Sequence, residues 1–178
     1  MTDPEETWSN PTIDGELVQL RPFVEADLPA LWEMVNDPEG NELTATTETF
    51  TREVIERWYR TREDHTDRLD LAIVERSTGE VAGEVVLNER DPAARTCSFR
   101  ISLRGPDWFG RGLGTEATAL IIQHGFEQLG LDRITLEVLA RNPRARRSYE
   151  KVGFVTTGDV VEDGETWVHM AIDAATKS

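Results

Sequence analysis

Apolar residues recur along this chain with two periods, and the switches between them predict its elements. Leu17, Val18 and Leu20 fall in a run over 16–21 that reads as a strand, closed by Pro22, which cannot donate to a ladder. Leu28, Leu31, Trp32 and Val35 have helical spacing and predict a helix over 27–35, broken by the stretch 36–41 with its Asn, Asp, Pro and Gly. A second helix over 51–63 uses Val54, Ile55 and Trp58 as its apolar face. Runs at 69–74 and 81–87 read as paired strands, because Ser77-Thr78-Gly79-Glu80 between them is turn chemistry. Residues 95–103 alternate as another strand. Beyond a glycine-rich turn, Ile121, Ile122, Gly125, Phe126 and Leu129 mark one face of a helix over 115–129. Ile134, Leu136, Val138 and Ala140 alternate as a strand, 144–152 forms a short helix stopped by Gly153, and Asp163-Gly164 joins two closing strands as a hairpin. The order β-α-α-β-β-β-α-β-α-β-β predicts an α/β fold in a single domain, a mixed and mostly antiparallel sheet with helices packed on it. The domain is expected over 12–173, with 1–11 as a flexible N-terminal arm and 174–178 as a tail.

The glycine-rich turn carries the first chemical signal. Trp108-Phe109-Gly110-Arg111-Gly112-Leu113-Gly114-Thr115 opens directly into a helix. Bare amides at a helix start and the positive end of its dipole point at one place, which makes an anion cradle. Gly110, Gly112 and Gly114 let a phosphate approach the backbone, and Arg111 adds a fixed positive charge. The pattern is neither a dinucleotide fingerprint nor a Walker loop, so a nucleotide site lacks its usual Lys-Ser/Thr and acidic strand end.

Composition narrows the classes. Across 178 residues, 34 acids face 19 basic residues, of which only Lys151 and Lys177 are lysine, for a net charge of −15. Such a surface disfavours nucleic acid and anionic membranes. The acids are dispersed, a pattern like that of proteins from high-salt cytoplasm, and stability is expected to rise with salt; attraction of a cationic partner is the other reading. No run is long and apolar enough for a membrane span, the N-terminal residues are unlike a secretory leader, and a cytoplasmic address is expected. The single Cys97 cannot form an internal disulfide, and no Cys/His spacing suits a metal.

Three motifs in order carry a family resemblance. They are the opening Leu17-Val18-Gln19-Leu20-Arg21-Pro22-Phe23, the turn 110–117, and Asn142-Pro143-Arg144-Ala145 through Tyr149 to Gly153-Phe154. Over about 16–173 the chain resembles the GNAT superfamily of acetyl-CoA-dependent N-acetyltransferases, and most of all its ribosomal-protein alanine branch. It departs from that branch at Tyr149 and Ala145, where an aliphatic residue and a serine are usual.

The resemblance implies a splayed central strand pair that holds the pantetheine arm of acetyl-CoA as co-substrate. The first strand end is then Ile101, Ser102 and Leu103, and the second includes Leu136, Val138 and Leu139. The diphosphate falls on Phe109, Gly110, Arg111, Gly112, Leu113, Gly114 and Thr115, and Asn142 either contacts the cofactor or caps its helix. Tyr149 falls where the family places a phenol that protonates the departing sulfur, although a buried aromatic of the short helix would look the same. The strand over 96–102 lacks the base of many relatives, which leaves Glu84 and Glu137 as the available carboxylates, with Ser98 to orient a water. Glu84 is taken as the catalytic candidate. The implied acceptor is a primary amine, on a protein N-terminus or a small molecule, and relatives are monomers or homodimers. A non-catalytic acyl-CoA-binding module is the alternative.

Overall fold

The computed structural model describes residues 7–175. Among the described residues, thirteen α-helices and strands follow in chain order: β1 (Ile13–Asp14), β2 (Val18–Pro22), α1 (Leu28–Val35), α2 (Pro38–Leu43), α3 (Arg52–Thr61), β3 (Leu69–Glu75), β4 (Val81–Asp91), β5 (Thr96–Leu103), α4 (Leu113–Glu127), β6 (Arg133–Leu139), α5 (Pro143–Val152), β7 (Val155–Glu162) and β8 (Glu165–Asp173). The eight strands form one sheet in the order β1-β2-β3-β4-β5-β6-β8-β7. Only β5 and β6 run parallel; every other neighbouring pair is antiparallel. The α/β architecture expected from the hydropathy periods is the observed one.

Two apolar clusters flank the sheet. On one face Leu20, Leu71, Val85, Leu87 and Phe99 pack under α4 through Ala117, Ile121 and Ile122. On the other, Phe23, Ala72 and Val74 meet Leu31 and Met34 of α1 and Ile55 of α3. The long α4 is held to the first strands by Glu116, whose carboxylate accepts from the Leu17 and Val18 amides at 2.9 and 3.2 Å. At Gly83 a Cβ would overlap the Ser102 carbonyl oxygen, so only glycine permits β4 and β5 to approach there.

Three local expectations are corrected. Residues 38–43, read as a breaker, form α2, because Asp37 accepts from the Gly40 amide at 2.8 Å and Pro38 occupies the first turn, where its missing N–H costs nothing. Pro22 ends β2 from within, opposite Leu71. The arm expected over 1–11 includes Trp8, whose ring is 5% exposed and whose amide donates to Thr66 O at 2.9 Å, so this part is packed. Residues 1–6 of the arm and 176–178 of the tail lie outside the described residues.

Candidate active site

β5 and β6 are in register over three residue pairs, from Thr96–Arg133 to Ser98–Thr135. Beyond them the strands part, and Phe99–Leu103 of β5 and 136–139 of β6 have no ladder partner in each other. The outer flanks are fully paired, β5 with β4 and β6 with β8. The wedge therefore presents backbone N–H and C=O groups from both sides, and such groups require a partner once water is displaced. An extended arm bearing amides supplies one. A cavity of about 1090 Å³ lies at the wedge and is lined from both faces of the sheet, by Trp58 and Ile55 on one and by Tyr149 and Ala145 on the other.

The glycine turn lies at one end of this wedge. Gly110 and Gly112 have φ of 70° and 80°, the left-handed region where glycine is unstrained, and around a Cβ at Gly110 there is open space. Gly112 is the N-cap of α4 and has no side chain to occupy the first-turn amides of Leu113, Gly114 and Thr115. These donors and the helix dipole converge as an anion cradle. Phe109 and Gly114 line the cavity, with the Arg144 guanidinium 3.7 Å above the Phe109 ring. Three predicted residues have other primary engagements. Arg111 pairs with buried Glu75 and stacks on Trp108 at 5.0 Å, facing a separate pocket of about 250 Å³. Leu113 packs its side chain in the core, and Thr115 hydrogen-bonds Ser148 at 2.8 Å. Asn142 caps α5 through the Ala145 amide and reaches Leu43 O, so capping accounts for its polar atoms although it borders the cavity.

Tyr149 stands on the α5 side of the wedge. Its ring meets Phe99 and Phe154 edge-on at 6.1 Å each, and it lines the cavity beside Ser148 and Ala145. Burial pushes its phenol up to about 12, against a smaller opposing pull from Arg144.

The opposite face of the wedge is charged. Glu84 points into the same cavity from β4, and burial raises its carboxyl to about 7, helped by the nearby Asp70 and opposed by Arg100 and Arg68. Glu89, at a bulge in β4 with φ 52°, accepts from the Ser98 hydroxyl at 2.8 Å. Ser98 thus orients a carboxylate, where a water had been expected. Glu137 lies across the wedge beside His169 at 3.5 Å and is largely exposed, which separates it from Glu84 as a base. Trp58 and Trp167 are cavity walls, whereas Trp32 carries Arg52 over its ring. Asp70, Arg68 and Arg100 were not foreseen. A carboxylate inside the apolar run Leu69-Asp70-Leu71-Ala72-Ile73-Val74 was the available signal.

Known proteins share this plan. A profile of the Acetyltransferase (GNAT) domain matches residues 18–155. The chain belongs to the GNAT family. The chain is 33% identical to the spermidine N(1)-acetyltransferase of Escherichia coli K12 over 97 residues, 54% of this chain and 52% of that protein. A Vibrio cholerae spermidine N(1)-acetyltransferase is 32% identical over 91 residues, 51% of this chain and 52% of its own length. The alignments thus span about half of these curated relatives. Among solved GNAT structures, spermidine N-acetyltransferase from Vibrio cholerae in complex with CoA and spermine superposes with a TM-score of 0.82 at 22% identity, covering 89% of this chain and 96% of that one. A GNAT acetyltransferase from Bacillus anthracis gives 0.79 at 19% identity, covering 91% and 98%. The family expectation holds, and its finer part is corrected: these relatives are spermidine acetyltransferases, where the motifs had suggested the ribosomal-protein branch.

Proposed function

We propose that this protein transfers the acetyl group of acetyl-CoA to a primary amine of a small polycation of the spermidine class. The observation that carries this reading is the continuous cavity with Tyr149 on one side of the strand wedge and Glu84 on the other. The residues present fit acetyl-CoA. The unpaired edges of β5 and β6, including Ile101, Ser102 and Leu103, match the amides of a pantetheine arm. The amides from Gly110 to Thr115 match a diphosphate, with Arg111 available to it only on leaving Glu75.

Bound acetyl-CoA supplies an activated thioester, and the protein supplies the proton traffic. Glu84 removes a proton from the incoming ammonium and passes it to solvent, and the freed nitrogen forms its bond to the carbonyl carbon as the carbon–sulfur bond breaks. The nitrogen's second proton, made acidic by that bond, is lost to water, from which Tyr149 recovers the one it donates. A carboxyl near 7 is divided between its two forms at neutral pH, which suits a base that must accept and then release a proton. Tyr149 donates its phenolic proton to the leaving sulfur. An ordinary thiol has a pKa of about 8.5, too low to take a proton readily from a phenol near 12. Loss of water raises both groups, however: buried Cys97 of this same chain is pushed up to about 12. A sulfur that leaves shielded from water is raised in the same direction, which narrows its gap to Tyr149.

The acceptor class follows from charge. Glu48, Asp70, Glu84, Glu89 and Glu137 border the cavity against Arg68, Arg100 and Arg144, and Phe50, Trp58 and Trp167 offer walls for methylene chains. The names of the spermidine-acetylating relatives agree with this chemistry. Glu84 supplies the carboxylate missing from the strand over 96–102, which weakens the reading as a non-catalytic module. Thiol release should be measured with acetyl-CoA and a panel of spermidine, a monoamine and an alanine-terminated peptide. Spermidine is expected to exceed the other two by about tenfold or more in kcat/KM. Equal rates across the panel would refute the polycation assignment, and absence of thiol release with every amine would refute transfer.

A further inference from the structure

Glu84 does not stand alone on its face of the sheet. Strand register puts Asp70, Val86 and Arg100 in one row across β3, β4 and β5, and Ala72, Glu84 and Ser102 in the next. Glu84 is therefore the diagonal neighbour of an acid on one side and a base on the other, and diagonal positions lie about 7–8 Å apart, within Coulomb reach. Asp70 is held still. Arg68 donates to its two carboxylate oxygens from Nε and Nη2, both at 2.8 Å, a planar fork that fixes the charge in one place.

Few other charges face this spot. α1 and α3 cover it with apolar side chains, Leu31, Met34, Ile55 and Trp58. Glu48 borders the cavity from the segment between α2 and α3. Glu89 is bonded to Ser98, and Glu137 lies beside His169 across the wedge. The two diagonal neighbours act on Glu84 in opposite senses, Asp70 favouring its protonated form and Arg100 its ionised form, with Arg68 tempering Asp70.

We propose that Asp70 and Arg100 are opposed positioning residues that set the pH at which Glu84 takes the proton of the acceptor amine, with Arg68 as the clamp that keeps Asp70 in place. The proposal rests on Glu84 being the base of the transfer. Neither neighbour needs to touch the reacting nitrogen. Each works by biasing the charge of Glu84, so removing one should translate the pH profile without abolishing turnover.

The test is the pH profile of kcat/KM for acetyl transfer by the full chain, which reports groups of the free enzyme. D70N is expected to move the acidic limb down, and R100Q to move it up, each by about 0.5–1 pH unit, the position of the limb and not the height of the plateau being the readout, since both residues also border the acceptor cavity. R68Q should also move it up. Arg100 is exposed, so R100Q keeps the test alive if D70N fails to fold. A limb that stays at the parent's pH in R100Q, or that moves the same way in D70N and R100Q, overturns the proposal. Failure of the underlying reading looks different: E84Q would then retain the parent's limb and rate.

Discussion

The two sides of the strand wedge treat an ionisable group alike and obtain opposite chemistry from it. On the α5 side Tyr149 is packed against Phe99 and Phe154, and loss of water pushes its phenol up to about 12. On the α1 and α3 side the same effect raises Glu84 to about 7. A phenol raised from its ordinary value of about 10 only holds its proton more firmly, whereas a carboxyl raised from about 4.3 crosses into the range where it exchanges one. Dehydration is thus one cause with two outcomes, decided by where each group's titration begins. The surroundings differ accordingly: aromatic rings around Tyr149, the proposed donor, and charged neighbours around Glu84, the proposed acceptor of a proton.

The largest expected effect breaks this comparison from the carboxylate side. E84Q should lower kcat/KM above pH 7 by about 100- to 10,000-fold and abolish the acidic limb. The same substitution should stabilise the fold. Since the folded-state pKa lies above the unfolded one, the native state binds the extra proton, and that stabilisation is complete below about pH 4 and lost as pH rises through 7. Above pH 7 the ionised carboxylate is a burden on the order of 3 kcal/mol at most, which Gln relieves. The melting temperature of E84Q should therefore exceed the parent's at pH 8 and converge on it near pH 4; equal values at both would contradict the raised proton affinity.

Y149F probes the other side. Turnover should fall about 100-fold or more while thermal protection by acetyl-CoA persists, because in the proposed transfer the phenol's proton is used at departure and not for binding. A variant that loses protection and keeps kcat would make Tyr149 a packing residue. The smallest effect is that of salt on the coat of acids. With a net charge of −15, the melting temperature should rise in molar KCl through screened self-repulsion. Tyr149 in its apolar setting should be indifferent to that change, and a melting point unmoved by salt would leave the acidic coat to acceptor attraction alone.

Features set by a local steric or capping need were legible in the chain. Gly110 and Gly112 stand at positive φ, Asn142 caps α5, and Asp163-Gly164 turns β7 into β8, each from chemistry carried by the residue itself. Features set by register were not. β4 is apolar on both faces from Val81 to Leu87, so alternation could not say which side Glu84 takes, and the pairing of Asp70 and Arg100 with Val86 exists only across three strands. Trp8 was hidden for the same reason, since its partner Thr66 is remote in sequence. The pairing of Arg111 with Glu75 was equally illegible, because Glu75 lies far from it in sequence.

Gly83 has a consequence for redesign. With β4 and β5 drawn together against the Ser102 carbonyl, that side of the channel is an inextensible seam. With the acyl group in the proposed place, room for a bulkier one must come from the other bank, where beyond Thr135 the one ladder partner of β6 is β8. Trimming Leu136 or Val138 is the route by which this scaffold would accept longer thioesters.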